Sequence, residues 1–488
     1  MVTNFVKPDQ KATGSNEILN KLREGHYFVL DNFTNKNILH EAVKKVILDG
    51  IEKFEGIKCR RLVEKNGLCK MHYYFPADKL ADLDLHVKGS KRIKEIMLKL
   101  AFSVGKENLK ISGEFFIEEN PFAFKISYPH RVAINSTVTN EDYHVKYMEL
   151  RNKIALEENR KWELRQKVEK FQGIGRLIEK VKTEVKTAFL KSIRFNRKQA
   201  FKQTYKGFAR IAKQPYAAKI HQPHIDSWYG APLDGISLWW AIEGAKENNG
   251  VVLYPNMLGE DIDFSVESET SYLPFGITVT KPEKIEVPDG SVLLFTYDML
   301  HSSHLNISDF TRIAVIAQIY PKLQFNPDSL HERGTGFYSS EDISKGDWGN
   351  LIKVPMKDNL GVLHEGRRNP HVEKRISITV NSNFSEGKPI ALCDSDTLGV
   401  GEKMLVSLRQ ERVVIIRNSK GLWAVNAICP HMGLNLIDGF HDENHIYCPG
   451  HAVTYCLMDG SSEGDLLKLK VYKTYDDNGK IFLQKVVN

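Results

Sequence analysis

Cysteine is scarce in this chain: six in 488 residues, at positions 59, 69, 393, 429, 448 and 456. So few thiols, so widely spread, exclude the disulfide framework of a small secreted domain. No apolar run approaches eighteen residues, so no membrane-spanning helix is predicted. The opening Met-Val-Thr-Asn-Phe-Val-Lys has no basic stretch leading into an apolar core, so no secretory leader is read there. These absences together predict a protein of a reducing cytoplasm. Proline is missing from residues 141–213, where Lys, Arg, Glu and Gln dominate, and two or three helices are expected there. What is present in bulk is ordinary. The chain is 42% hydrophobic and 26% charged, which marks a globular protein rather than a disordered one. Its length is too great for one compact core and predicts two or three domains.

Local pattern divides the chain further. Residues 1–140 read as mixed structure, with a helix over Asn16–Arg23 and a strand over Tyr27–Asp31. From 216 to about 321 short strands alternate with turn signals. Gly235-Ile-Ser-Leu-Trp-Trp-Ala-Ile-Glu, Gly250-Val-Val-Leu-Tyr, Ser291-Val-Leu-Leu-Phe-Thr-Tyr and Arg312-Ile-Ala-Val-Ile-Ala-Gln-Ile-Tyr are examples, separated by Asn248-Asn-Gly and Pro288-Asp-Gly. Such spacing suggests a jelly roll or barrel. Residues 322–386 are polar and read as a linker. A second all-β pattern runs from about 387 to the end.

The proline-free insertion is strongly basic. Residues 146–213 hold twenty Lys and Arg against seven Glu, a balance of +13 in a chain of net +7. The remainder is therefore about −6. From Val185 to Lys213 there are nine basic residues and no acidic ones, interleaved with Phe189, Phe195, Phe201, Tyr205 and Phe208. A solvated helical flap packing its aromatics on the barrel is one reading. An anionic substrate, a carrier or acyl-CoA phosphate, or an acidic lipid surface is the other. No nucleic-acid-binding motif is present, so nucleic acid ranks last.

Two constellations carry chemistry. The first is Cys429-Pro-His431 and Cys448-Pro-Gly-His451, with sixteen residues between His431 and Cys448. Two thiolates and two imidazoles suit zinc or an iron–sulfur cluster. Each loop supplies one Cys and one His, whereas zinc sites usually group like ligands. The flanking Leu422-Trp-Ala-Val-Asn-Ala-Ile and His451-Ala-Val-Thr-Tyr-Cys-Leu-Met-Asp-Gly resemble the same stretches in Rieske ferredoxins and Rieske oxygenases. The resemblance covers residues 387–488 and implies a small all-β Rieske domain with a 2Fe–2S cluster held by Cys429, His431, Cys448 and His451. Leu434 stands where respiratory-chain Rieske proteins have a bridging cysteine, which points to the ferredoxin and oxygenase branch. Cys456 is expected to be a buried free thiol. Asp438-Gly-Phe-His441-Asp-Glu-Asn-His445 imitates the iron-binding element of Rieske oxygenases. It is one residue short between its histidines and is read as exposed turn.

The second constellation is His224-Ile-Asp226, two ligand types at i and i+2 and hence on one face of a strand, with His301 at the end of a later strand. Two histidines and a carboxylate make the facial triad of mononuclear iron oxygenases, which leaves positions open for substrate and oxygen. The segment resembles the phytanoyl-CoA dioxygenase family of iron- and 2-oxoglutarate-dependent oxygenases. The matches are His224-Ile-Asp226, Trp239 to Gly250, Pro288-Asp-Gly-Ser-Val-Leu-Leu-Phe, His301-Ser-Ser-His-Leu-Asn306 and Arg312, with Leu22 to Phe33 similar to the family's opening strand. It spans about 15–321, leaving 141–213 as an unmatched insertion.

This resemblance implies a double-stranded β-helix (jelly-roll) oxygenase core, mainly β with α. It implies Fe(II) on His224, Asp226 and His301. Arg312, eleven positions after His301, would bind the far carboxylate of 2-oxoglutarate, aided by Ser303 and Trp239; a planar guanidinium fork suits that task. His304 competes with His301, which is preferred because Asn306 and Arg312 then fall at the family's offsets. Hydroxylation of a small or anionic substrate is the expected outcome, since an intact Asp226 argues against halogenation. The alternatives are a Rieske-driven oxygenase that does not use 2-oxoglutarate, and an electron carrier whose barrel only binds a ligand. A ferredoxin reductase and a second copy of the chain are the expected protein partners, the latter because Rieske oxygenases often pass electrons between neighbouring subunits.

Overall fold

A computed structural model of the chain describes residues 17–118, 123–133, 223–226, 232, 234–258, 279–324, 336–346, 351–353, 376–380, 384–409, 411–430, 435–449, 452–465 and 467–485. The basic insertion expected over 141–213 lies outside them.

The N-terminal unit is built from two antiparallel sheets. Its described strands are β1 (Phe28–Leu30), β2 (Phe116–Glu118), β3 (Ala123–Ser127), β4 (Ile236–Glu243), β5 (Val251–Leu253), β6 (Glu283–Ile285), β7 (Val292–Thr296), β8 (His301–Ser303), β9 (Arg312–Tyr320), β10 (Gly336–Ser339) and β11 (Leu351–Lys353). The large sheet runs β1-β7-β4-β9-β2-β10-β11, with β3 also paired to β9; the small sheet runs β6-β5-β8.

Alternation along the central strands sorts their side chains to two cores. Leu238 and Trp240 of β4, Leu294 of β7, and Ile313 and Val315 of β9 face outward. There they pack with α1 (Glu17–Arg23), α2 (Lys36–Asn66), α3 (Leu80–Lys88) and α4 (Lys91–Ser103). Trp239 and Ala241, Leu293 and Phe295, and Ala314 face the other way, onto Val251, Leu253 and Ile285 of the small sheet. This inner core is the floor of the site described below.

The expected N-terminal helix and strand are both observed, as α1 and β1. Most of the region read only as mixed is helical. In α2, Leu39, Val43, Val46, Ile47 and Ile51 follow helical spacing before Gly56 breaks the run. Gly56 has φ +81° with no atom within 4 Å of an added Cβ, so backbone conformation alone demands glycine there.

The C-terminal unit holds β12 (Ile376–Val380), β13 (Ile390–Asp394), β14 (Lys403–Leu408), β15 (Arg412–Asn418), β16 (Gly421–Asn426), β17 (His445–Tyr447), β18 (Thr454–Cys456), β19 (Val471–Asp477) and β20 (Lys480–Gln484). Seven of these form one sheet, β12-β14-β15-β16-β19-β20-β13, and β17 and β18 make a separate hairpin. The stretch 322–386, expected as linker, differs from that expectation. Its strands β10 and β11 extend the large sheet beyond β2, and β12 pairs in parallel with β14. These strands are only three to five residues long within a stretch rich in polar residues, Gly and Pro, so each carries little periodic signal. Cys456 is a second difference: it is partly exposed rather than buried.

The two units share buried surface. Leu305, from the loop after β8, lies in one core with Cys429, Leu436, Cys448 and Tyr455 of the C-terminal unit. Lys284 of β6 donates to Thr454 Oγ1 at 3.1 Å and pairs with Glu463. The Val279 amide donates to the Asp438 carbonyl at 3.1 Å.

Candidate functional site

The small sheet brings the central constellation together. His224 and His301 exchange both backbone hydrogen bonds, each 3.0 Å, and the Asp226 amide donates to the Tyr297 carbonyl at 3.2 Å. These contacts fix the short segment 223–226 beside β8. His224, Asp226 and His301 then place one ligand atom each within 4.8 Å of one another, and they are the one such group among the described residues. Asp226 Oδ1 lies 3.7 Å from His224 Nε2 and 3.9 Å from His301 Nε2. The two imidazole centroids are 4.3 Å apart. His301 thus joins the group that sequence reasoning named, and His304 does not.

The surrounding groups hold these atoms in an arrangement that could take a metal. His301 Nδ1 lies 2.9 Å from the Met299 carbonyl. A carbonyl only accepts, so Nδ1 carries a proton, and Nε2 is the ring nitrogen turned toward Asp226. Ser237 Oγ donates to Asp226 Oδ2 at 3.2 Å, holding the carboxylate so that Oδ1 faces the histidines. Phe295 walls the site, its ring centroid 4.9 Å from that of His301. Ser237 and Met299 were not singled out from sequence. Ser237 was legible as an inward position two before Trp239 on β4; the Met299 contact is made by backbone and left no side-chain signal.

Arg312 opens β9 with the parity of Ala314, so it faces the inner core. It is 3% exposed. One of its terminal nitrogens donates to the carbonyls of Asn249 at 2.8 Å and Gly250 at 3.1 Å. Nε has no hydrogen-bond partner, and no carboxylate pairs with the guanidinium among the described residues. Burial alone pulls its pKa from 12.5 down to about 10. A buried cation without a counter-ion is costly unless something anionic joins it.

The turn that meets Arg312 is tightly specified. Asn249 is fully buried, accepting from the Lys246 amide and donating to the Gly244 carbonyl and Ser308 Oγ. At Gly250 an added Cβ would stand 2.3 Å from the Ile285 carbonyl oxygen, so only glycine lets β5 and β6 close there. Val251 follows and pairs with Ser303 while Leu253 pairs with His301, which sets Arg312 and the triad at opposite ends of one short strand pair. Ser303 shares the strand face of His301. Trp239 is 4% exposed and lies in the inner core with Ala241, Leu293 and Ala314.

The C-terminal constellation is described in half. Cys429 and Cys448 are both buried in one cluster, and the Tyr455 hydroxyl lies 3.2 Å from Cys429 Sγ. His431 and His451 lie outside the described residues. The imitation element disperses: His441 Nε2 faces the Gly401 carbonyl at 3.1 Å, and His445 Nδ1 faces Asp442 at 3.3 Å.

Comparison with known proteins bears on this half. Residues 388–472 match the family model of the Rieske [2Fe-2S] domain. The C-terminal part of the chain carries a Rieske domain. A curated relative, the cytochrome b6-f complex iron-sulfur subunit of Chlorobaculum thiosulfatiphilum, is 28% identical over 86 residues, 17% of this chain and 47% of that protein. The match therefore spans about half the length of that relative. Among solved structures, the ferredoxin of carbazole 1,9a-dioxygenase from Nocardioides aromaticivorans IC177 is 22% identical, with 20% of this chain and 99% of that one covered and a TM-score of 0.19. The Sphingomonas yanoikuyae B1 ferredoxin is 19% identical, with 20% and 99% covered and a TM-score of 0.19. The Rieske domain gives the chain a 2Fe–2S cofactor and an electron-transfer module. No helix among the described residues is long and apolar enough to cross a membrane.

Proposed function

We propose that this chain is a non-haem iron oxygenase that hydroxylates a small or anionic substrate with 2-oxoglutarate, and that its Rieske domain delivers electrons to the mononuclear iron. In this reading the two facing sheets are a double-stranded β-helix of the phytanoyl-CoA dioxygenase kind. His224, Asp226 and His301 hold Fe(II), and Cys429, His431, Cys448 and His451 hold the 2Fe–2S cluster. The observation that carries the reading is Arg312: a buried guanidinium with no counter-ion among the described residues, on the inner face that also receives the triad.

With iron, 2-oxoglutarate and oxygen bound, such a site supplies oxidative decarboxylation of the cosubstrate to succinate and CO2, coupled to hydroxylation of a C–H bond. The chain's own residues do the positioning. Ser237 and the Met299 carbonyl keep Asp226 and the protonated Nδ1 of His301 in a ligating arrangement. Arg312, with Ser303 nearby, takes the distal carboxylate. Trp239 and Phe295 exclude water from the inner core, which strengthens the charge pairing at Arg312.

The packing of the Rieske domain against the triad's own strands favours a second reading, in which the cluster drives oxygen chemistry without 2-oxoglutarate. One experiment separates the two. Full-length protein reconstituted with iron is given 2-oxoglutarate and oxygen, and succinate is measured. The first reading predicts substrate-independent succinate formation that is lost in Asp226→Ala. No succinate above the level of that variant, from protein with iron at both centres, refutes it. A ferredoxin reductase is the expected electron donor.

A further inference from the structure

We infer that the electron passes from the Rieske cluster to the mononuclear iron within one chain, across a contact centred on Tyr254, rather than between subunits. The inference rests on the oxygenase reading above and adds the route.

The triad segment and β8 have two sides. One presents His224, Asp226 and His301 to the barrel interior. The intervening and flanking residues Ile225 and Leu300 lie against the Rieske domain, and Ser302 lies against Tyr254. Ile225 and Leu300 pack with Tyr254 and Ala452 in one buried cluster, and Ala452 directly follows the proposed cluster ligand His451. Leu305, four residues beyond His301, is buried in the core that contains Cys429 and Cys448. Residues 300–305 thus belong to both centres at once.

Tyr254 joins the two sides by hydrogen bonds. It is fully buried, and its amide donates to the Leu300 carbonyl at 3.0 Å. Its hydroxyl lies 3.3 Å from Ser302 Oγ and donates to the Pro449 carbonyl at 3.4 Å. Pro449 follows Cys448, and Ser302 follows His301. The route therefore runs Cys448–Pro449, Tyr254, Ser302–His301, with two long hydrogen bonds and otherwise covalent steps. Burial raises the phenol pKa above its ordinary value, against the opposing effect of the Ser302 hydrogen bond, so the hydroxyl keeps its proton.

Ala452 adds a second mark of a built contact. It adopts φ +51° although it is not glycine, and its methyl is fully buried against the barrel. A left-handed backbone is unfavourable for alanine, and burial of its methyl against the barrel works in the opposite direction. Glycine would relieve the strain and leave a gap at the barrel face.

The step moves one electron and changes no bond. The reduced 2Fe–2S pair is oxidised by one electron, ferric iron on the triad becomes ferrous, and no proton is required. A ferredoxin reductase supplies the electron in the cell, and dithionite serves in the test.

The test uses full-length protein holding cluster and ferric iron. The cluster is reduced by a substoichiometric pulse of dithionite, and its reoxidation is followed by visible absorbance and by its EPR signal. A rate independent of protein concentration is expected, with no transfer in mixed oligomers of Cys429→Ser and Asp226→Ala chains, as is a severalfold slower rate in Tyr254→Phe with unchanged iron content and cluster spectrum; transfer in the mixed oligomers overturns the intrachain route. A rate that rises in proportion to concentration overturns the intrachain route. An unchanged rate in Tyr254→Phe overturns the role of the Tyr254 hydroxyl. Ala452→Gly, which keeps every proposed ligand, should also slow transfer, and serves if Tyr254→Phe folds poorly. No reoxidation at all in wild-type protein with verified ferric iron defeats electron delivery itself. Succinate formation, measured on the same sample, reports separately on the oxygenase reading.

Discussion

Replacing Arg312 by methionine should move stability and cosubstrate affinity in opposite directions. The side chain is buried, and desolvation alone pulls its pKa from 12.5 to about 10. At about 1.4 kcal/mol per unit, the unliganded fold carries on the order of 3 kcal/mol for burying that charge. Methionine keeps the packed stem and removes the charge. It also forfeits the bonds to the Asn249 and Gly250 carbonyls, about 1 kcal/mol each. The balance leaves the unliganded variant more stable by roughly 1 kcal/mol. A dicarboxylate that pairs with the guanidinium recovers the cost of burial, so loss of Arg312 should weaken 2-oxoglutarate binding by about 3 kcal/mol, roughly a hundredfold.

The assay is calorimetric titration of Mn(II)-loaded protein under air-free conditions, beside denaturant melts of the unliganded forms. Pyruvate, which has the keto acid but no distal carboxylate, is the control and should bind both proteins alike. If Arg312→Met binds 2-oxoglutarate as tightly as the native chain and is less stable, Arg312 is a structural residue and the reasoning fails.

Other consequences follow from single contacts. Ser237→Ala frees Asp226 Oδ2 and should lower Fe(II) affinity roughly 10–100-fold, with the melting profile nearly unchanged; equal affinity by competitive chelation would contradict the orienting role. His130 is buried, and desolvation holds its pKa at about 4 against an ordinary 6.5. The native state keeps it neutral, so the stabilisation is complete above pH 6.5 and is lost as pH falls toward 4, by at most about 3 kcal/mol. His130→Gln should flatten that part of the stability curve in urea melts across the range, and an unchanged slope would refute the assignment. Tyr455→Phe removes the hydroxyl beside Cys429 Sγ and should lower the cluster's reduction potential, because hydrogen bonds to ligating sulfur favour the reduced form; an unchanged potentiometric titration would show that the contact is not made to the loaded cluster.

Much of this site was legible because its chemistry rides on strand periodicity. His224 and Asp226 at i and i+2 meet His301 beside the small sheet, and Arg312, named from its offset in the family resembled, reaches the Asn249–Gly250 turn of that sheet from β9 of the large one. The residues that steady them were less visible. Met299 acts through its carbonyl, and Ser237 is one small polar residue in an apolar strand. Tyr254 gains its meaning from Pro449, almost two hundred residues away. The fold shows the same division. The apolar strands β4 and β9 announced themselves, whereas β10, β11 and β12 are short strands in a polar stretch that reads as linker. Helix α2 was obscured by Gly56, which resets the register between Ile51 and Cys59. The Rieske loops were the clearest signal of all. What the structure adds is where their domain sits, against the reverse side of the strand that carries His301.

The central claim is that one chain holds a mononuclear iron on His224, Asp226 and His301 beside its Rieske cluster, and it is tested most directly by iron analysis of anaerobically reconstituted full-length protein. The native chain should bind ferrous iron beyond that accounted for by the 2Fe–2S EPR signal. Asp226→Ala should lose that additional iron and keep the EPR signal at full intensity. The same iron content in both proteins would contradict the account.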